Sequence, residues 1–337
     1  MKIFGAATQQ PSRAVLVEQR SSPWDPSQSR HRFDSKFFHQ TGGNKLPTEL
    51  TSVVVHYGPA EATVRVAESA LAYSTYVVVV ANDLMPRPSK LDSRILWVVP
   101  PRNLGFGAGF AWGATHRPAS ILLALNNDVI VGEDSVRACV EVFSDEHVGV
   151  VGPVLNHEDG SLQSGAGTVS AVLRRPHAHT RPGAGVSDCI WVTGAVMFIR
   201  ASALNGVGMD GSYFLGEEDV DFCIRARAQG WHVRCVGTAP ATHFGSRVIT
   251  GPRWSYYATR NQVWLARSRY GLARGIATWI WEVGLLPRVF LADVVKRRDI
   301  TSSRLVLKGL RDALRRKPSA LEGPWANEPV PSALMKW

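Results

Sequence analysis

The chain has 337 residues, 45% of them hydrophobic and 20% charged, with a formal net charge of +10. That length exceeds a single domain of about 100–200 residues, and the apolar fraction supplies a sizeable core. Cys139, Cys189, Cys223 and Cys235 form no C-x-x-C pair, which argues against zinc binding and for buried thiols in a reducing, cytoplasmic setting.

Residues 1–47 are rich in Ser, Gln, Pro and Arg without sustained periodicity. They read as a poorly ordered or loosely docked extension, and the apolar run Ile3–Ala7 is too short for a secretory signal. From about 48 to 246, strands are expected at 51–56, 76–81, 94–99, 120–125, 148–151 and 189–199. Helices are expected at 60–72, 106–116, 133–144 and 217–229. This alternation predicts a mainly parallel sheet with helices on both faces.

The turn Arg102–Gly113 is glycine-rich and opens a helix, which would let backbone approach a nucleotide closely. It is not a dinucleotide fingerprint, because G-x-G-x-x-G spacing would need glycine at Phe110, and no Walker-type run exists. The apolar strand Ile121–Leu125 runs directly into Asn126-Asn127-Asp128. It therefore delivers a carboxylate to its C-terminal edge, where open α/β sheets bind ligands. Farther on, Glu217, Glu218, Asp219 and Asp221 place four carboxylates in five positions at an expected helix start, with His243 beyond the next strand. Crowded carboxylates raise one another's pKa, as a general base near neutral pH requires. Acids at a helix N-terminus also complement its dipole, and taken alone the pattern fits either reading.

Residues 252–317 are expected to be helical, with Pro287 as a kink or break. Between Arg247 and Lys317 stand 16 Lys or Arg against 4 Asp or Glu, a net of +12, which leaves the rest of the chain at −2. No nucleic-acid reading motif accompanies this charge, so no nucleic acid is expected. Interleaved Trp279, Trp281 and Phe290 suit an anionic membrane surface better. Ile276–Val295 is interrupted by Glu282, Pro287, Arg288 and Asp293, short of the roughly 18–20 uncharged residues of a span, so peripheral attachment at the inner face of the membrane is expected.

Seven motifs follow in order: the valine-rich strand Thr51–His56; the strand Val77–Asp83; Asn-x-Gly-Phe-x-x-Gly at Asn103–Gly109; Asn-x-Asp at Asn126–Asp128; Gly-Pro-x-Leu with Asp-Gly-Ser-Leu-Gln over Gly152–Gln163; Gly-Ala-x-Met-x-x-Arg at Gly194–Arg200; and Glu-Asp-x-Asp at Glu218–Asp221. Over residues 48–265 the chain resembles the inverting family 2 glycosyltransferases, and more closely their rhamnosyltransferase-like branch. The resemblance implies an α/β GT-A-type fold: a mainly parallel nucleotide-binding sheet flanked by helices, here over 48–250, with a basic helical C-terminal region over 251–337. It also implies transfer of a sugar such as rhamnose from a dTDP- or UDP-linked donor to a hydroxyl of a glycan, lipid-linked saccharide or small molecule.

The site residues carried over with it are Asp219 as general base with Glu218 beside it, and Asp128 and His243 as ligands for Mn²⁺ or Mg²⁺. Donor contacts fall on His56, Tyr57, Asn82, Asp83, Asn103, Gly105, Gly107, Asn126 and Asn127. Gly194, Ala195 and Asp221 fall on the acceptor side, Asp221 as an anchor for loops or backbone N–H groups. The chain departs from the family in reading Ala81-Asn82-Asp83 for the usual Asp-Asn, and His56-Tyr57-Gly58 where Asn-Tyr-Asn is common. A catalytically degenerate nucleotide-sugar-binding or scaffolding protein is the alternative; retention of Asp128, Asp219 and His243 argues for catalysis. A glycoside hydrolase would leave the Asn-x-Asp site without a purpose.

Overall fold

The computed structural model describes residues 49–315 except 174, 181, 182, 184 and 245–251; the extension expected over 1–47 lies outside them. Strands and helices alternate as β1 (Leu50–His56), α1 (Ala60–Ala70), β2 (Tyr76–Ala81), β3 (Ile95–Val98), α2 (Phe106–Ala114), β4 (Ile121–Asn126), β5 (Val129–Val131) and α3 (Glu133–Glu141). There follow β6 (Val148–His157), β7 (Leu162–Ser164), β8 (Ala166–Val169), β9 (Pro176–Thr180), β10 (Val186–Asp188), β11 (Val196–Arg200), α4 (Ala201–Val207), α5 (Glu218–Ala228) and β12 (His232–His243). Three long helices close the chain: α6 (Pro252–Tyr270), α7 (Leu272–Ala292) and α8 (Thr301–Ala313).

The main sheet runs β10-β12-β6-β11-β4-β1-β2-β3, with β5 added to β12 and β7 to β6. The pairs β2–β3, β1–β2, β1–β4 and β6–β12 are parallel, and β11 lies antiparallel between β4 and β6. The strand expected to break the alternation is this one, shorter than the expected 189–199. Because both faces are covered, the central strands β1, β2 and β4 carry continuous apolar runs. Val54, Val77, Val79 and Leu123 pack against α1 and α3, while Val53, Val55, Val78 and Leu122 pack against α2, α4 and α5.

The features that position the site lie at the carboxyl ends of β1, β2 and β4 and along β12. Strand β12 slips register between Val236 and Pro240, a bulge after which it leaves β10 and pairs with β5 while keeping β6, with His243 opposite Val129. Helix α7 continues through Pro287 rather than breaking there. It docks by Gly275, Thr278 and Glu282, which are buried, and leaves Leu272, Ile276, Ile280, Trp281, Phe290 and Leu291 exposed. By length and composition Leu272–Val295 is long and apolar enough to cross a membrane, which corrects the expectation drawn from its interruptions: isolated charges do not offset so many Leu, Ile, Val and Trp side chains.

Candidate active site

The turn after β4 is fixed from both sides. Asn126 donates its backbone N–H to the Ala195 carbonyl at 3.0 Å, and Asn127 Nδ2 donates to the Tyr57 carbonyl and to Thr63 Oγ1, each at 3.2 Å. Asp128 then stands with Oδ1 3.0 Å from His243 Nε2. On its other side His243 Nδ1 is 2.9 Å from Gln163 Oε1, supplied by β7, and the Phe244 N–H closes the corner on the Asp128 carbonyl at 2.9 Å. With the ring proton on Nδ1, toward the Gln163 amide oxygen, the Nε2 lone pair faces a carboxylate oxygen; with it on Nε2, the ring donates to Asp128. Two acceptors at 3.0 Å are compatible when a proton or a cation lies between them. One nitrogen and one carboxylate oxygen, the imidazole oriented by a second hydrogen bond, make a donor set that fits a divalent ion. No group of three or more His, Cys, Asp or Glu side chains surrounds such a position among the described residues.

The residues expected to contact the donor base are engaged with one another. His56 and Asp83 form a pair at 3.0 Å, 0% and 1% exposed, with Thr63 Oγ1 2.6 Å from His56 Nδ1 and the Trp97 ring 5.1 Å away. Asp83 also accepts the N–H groups of Gly58 and Met85, so it pins the end of β2 to the loop after β1. The Asn82 amide is likewise spent on protein, donating to the Gly105 carbonyl at 2.8 Å and accepting the Leu104 N–H at 3.2 Å. Asn103 Oδ1 accepts the Gly105 N–H at 2.9 Å.

The glycines of this turn also have a packing role. Gly105 has φ +75°, and a Cβ there would lie 2.1 Å from the Phe214 carbonyl oxygen; a Cβ at Gly107 would lie 3.0 Å from Glu218 Cγ. The room that side chains would take is filled by Phe214 and Glu218, so these glycines let α2 start directly against the acid loop. Tyr57, Asp83, Asn103, Asn126 and Asn127 are the members of the expected donor set that stay half-buried, with the Asp83 side chain itself enclosed.

That loop is unusual backbone. Phe214, Gly216 and Glu217 all have positive φ (63°, 81° and 69°) just before α5, a conformation that persists only where surroundings enforce it. The enforcement comes from α6. Arg260, fully buried, donates Nη2 to the carbonyls of Ser212 and Tyr213 and lies over the rings of Tyr256 and Tyr257. Asn261 Nδ2 bonds the carbonyls of Tyr213, Leu215 and Gly216 at 2.7–3.0 Å. The sequence gives no expectation for either residue; the Arg-Asn-Gln run soon after two tyrosines was the available signal.

The four acids then take different environments. Asp219 accepts the Gly194 N–H at 2.6 Å and the Val220 N–H at 2.8 Å; burial pushes its carboxyl up while those N–H groups pull it down, leaving it raised. Glu218, almost wholly buried with Oε2 lacking a hydrogen-bond partner, is held well above the carboxylate range by burial and then by the Asp219 charge. Glu217 is pushed up to about 8 by burial and by Asp219. Asp221, expected on the acceptor side, is 0% exposed and accepts from Arg225 Nε (2.7 Å), Arg269 Nε (2.6 Å) and Tyr213 Oη (3.0 Å). Its oxygens are committed to locking α5 onto α6, the anchoring part of what was expected of it.

The segment Gly194–Ala195 joins the two poles. Ala195 receives the N–H of Asn126 and Gly194 gives its own to Asp219; a Cβ at Gly194 would crowd Asp219 Cβ at 3.2 Å, so glycine permits this approach. The end of β4 and the start of α5, some ninety residues apart, are thereby brought together at the carboxyl edge of the sheet.

Among solved structures, GalNAc-T7 with UDP, GalNAc and Mn²⁺ is similar at 12% identity and TM-score 0.53, over 66% of this chain and 48% of that one. The mannosyltransferase PcManGT from Pyrobaculum calidifontis, in complex with GDP-Man and Mn²⁺, is similar at 14% identity and TM-score 0.50, over 80% and 88%. The chain thus spans about half the length of the first. These likenesses establish the GT-A fold. No curated protein matches significantly. The profile of glycosyl transferase family group 2 matches residues 121–294, more than half of the chain and all of it from β4 through α7, and the chain accordingly belongs to that family.

Proposed function

We propose that the protein moves a sugar from a nucleotide diphosphate donor to a hydroxyl with inversion, Asp219 acting as the base. The observation that carries this reading is that Gly194–Ala195 is bonded on one side to Asp219 and on the other to Asn126, two residues before the Asp128 that pairs with His243. Leaving-group and acceptor chemistry would then occupy opposite ends of one site. Asp128 and His243 would hold Mn²⁺ or Mg²⁺, which supplies charge neutralisation for the departing diphosphate when bound.

Asp219, fixed by two backbone N–H groups, keeps lone pairs for the acceptor proton. The acceptor oxygen bonds to the anomeric carbon as the carbon–oxygen bond to the diphosphate breaks, and the proton passes to Asp219. One displacement inverts the centre, so no second carboxylate nucleophile is required. Glu218 beside it, favoured neutral by burial, leaves the negative charge of the cluster on Asp219.

The motif order over 48–250 supports a deoxysugar donor such as rhamnose, dTDP- or UDP-linked, and a glycan or lipid-linked acceptor. The exposed apolar face of α7, within a C-terminal region rich in Lys and Arg, supports attachment to an anionic membrane. Because Gly275, Thr278 and Glu282 hold the helix to the body, it would lie in the interface rather than leave the domain to span.

The test is a thermal-shift panel of dTDP, UDP and GDP with and without Mn²⁺. One nucleoside diphosphate should raise the melting temperature in a metal-dependent way, and Asp128→Ala should remove the effect. No shift with any of the three would refute the donor reading.

A further inference from the structure

Glu217 belongs to none of the seven motifs, yet both its backbone and its carboxyl are constrained. It is a non-glycine residue at φ +69°, ψ −3°, immediately after Gly216 at φ +81°. For a residue with a side chain this left-handed conformation costs about 1–3 kcal/mol, and it is kept where something else determines it. Its Oε2 is buried without a hydrogen-bond partner. Its side chain meets Gln262 of α6, and Gln262 Oε1 in turn accepts both Nε (2.8 Å) and Nη2 (2.5 Å) of Arg175, from the turn between β8 and β9. Arg175 also pairs with the buried Glu282 of α7 at 3.0 Å and lies over the Trp281 ring. A chain of polar contacts thus runs from α7 through Arg175 and Gln262 to the residue two positions before Asp219.

The proton inventory follows from these contacts. Gln262 turns its oxygen to Arg175, so its NH₂ is the group left for Glu217. Gln262 is the polar side chain beside this carboxyl, and Oε2 lies buried without a hydrogen-bond partner. Asp219 receives two backbone N–H groups and Glu217 receives none, so of the two the proton belongs on Glu217. The charged groups near Glu217 are Asp219 and Glu218 on α5, Arg175 on the β8–β9 turn and Glu282 on α7. Glu282 is itself paired with Arg175, which leaves no uncommitted cation among them to stabilise an ionised Glu217.

We propose that Glu217 is a positioning residue for the transfer: a neutral carboxylic acid that ties the acid loop to Gln262 and leaves Asp219 as the ionised member of the pair. The inference rests on the reading of Asp219 as the base. Because burial and Asp219 push Glu217 up to about 8, it is neutral at pH 7. Above that it adds a second negative charge beside Asp219.

The experiment compares wild type with Glu217→Gln, Glu217→Gly and Asp219→Asn. At pH 7 the infrared difference spectrum of wild type minus Glu217→Gln should contain the carbonyl stretch of a protonated carboxyl; its absence overturns the inference without any substrate. Turnover, read as nucleoside diphosphate released from UDP-, dTDP- and GDP-sugars, should survive in Glu217→Gln, which preserves a neutral acceptor for Gln262, and its fall above about pH 8 should disappear. Glu217→Gly relieves the backbone, so it should melt no lower than wild type and yet lose about tenfold or more in kcat at unchanged donor KM. A glycine variant with full kcat, alongside an inactive Asp219→Asn, overturns this inference alone. An active Asp219→Asn overturns the base assignment and this inference with it.

Discussion

Asp221 offers the sharpest separation between a structural and a chemical role. Replacing it with Ala strips Arg225, Arg269 and the Tyr213 hydroxyl of their common acceptor. Removing one partner of a buried ion pair costs about 3–5 kcal/mol, chiefly because the remaining charge is left uncompensated. The two guanidinium groups keep 19% and 25% of their side-chain exposure, and water can partly replace the carboxylate, which favours the lower end. Tyr213 is 0% exposed, but Ser268 also meets its hydroxyl and can take over the hydrogen bond, so little is added there. A net loss of about 3 kcal/mol is therefore expected. At roughly 2–4 °C per kcal/mol for a domain of this order of size, the melting temperature should fall by about 6–12 °C. Urea unfolding of Asp221→Ala and Asp221→Asn, followed by tryptophan fluorescence, measures it. Stability within about 1 kcal/mol of wild type, with weakened acceptor binding instead, would refute the lock and restore Asp221 to the acceptor side.

Asp219→Asn should lower kcat by about 10²–10⁴-fold and leave the nucleoside diphosphate dissociation constant unchanged, since the residue acts on the acceptor proton; titration calorimetry beside turnover tests the split. Chelator should abolish activity and Mn²⁺ or Mg²⁺ restore it, while Asp128→Ala should weaken diphosphate binding far more than nucleoside binding; full turnover in excess chelator rules the metal out. In vesicle flotation the protein should rise with anionic liposomes at low salt and partly detach at high salt, given a Debye length of about 8 Å at physiological ionic strength, and Ile276→Glu with Ile280→Glu should abolish flotation. Glu217, raised from 4.5 to about 8 on folding, makes the native state bind more protons than the unfolded chain across that window, so its contribution is fully favourable below pH 4.5 and is lost as pH rises toward 8. The melting temperature of Glu217→Gln relative to wild type should accordingly climb from pH 4.5 to 8, and a pH-independent difference would contradict the assignment.

Much of this protein is local in origin. The runs Val53–Val55, Val77–Val80 and Ile121–Leu125 are apolar without alternation, and only a strand covered on both faces uses such a run. Glycine and asparagine follow those strands and four acids open α5, so the carboxyl edge of the sheet was marked as the site by residue type and spacing alone. The assignments that changed or went unseen depend on partners far away in the chain. His243 meets Asp128 across 115 positions because a bulge in β12 re-aims the strand, and no periodicity encodes a bulge. Gly105 and Gly107 read as room for a ligand; their packing against Phe214 and Glu218 depends on a loop about 110 residues later. Asp83, Asn82 and Asp221 are each a short polar side chain in a plausible place. Whether such a group faces substrate or protein is decided by which donors packing brings within 3 Å, and Arg269, Arg260 and Asn261 arrive only when α6 folds back over the acid loop.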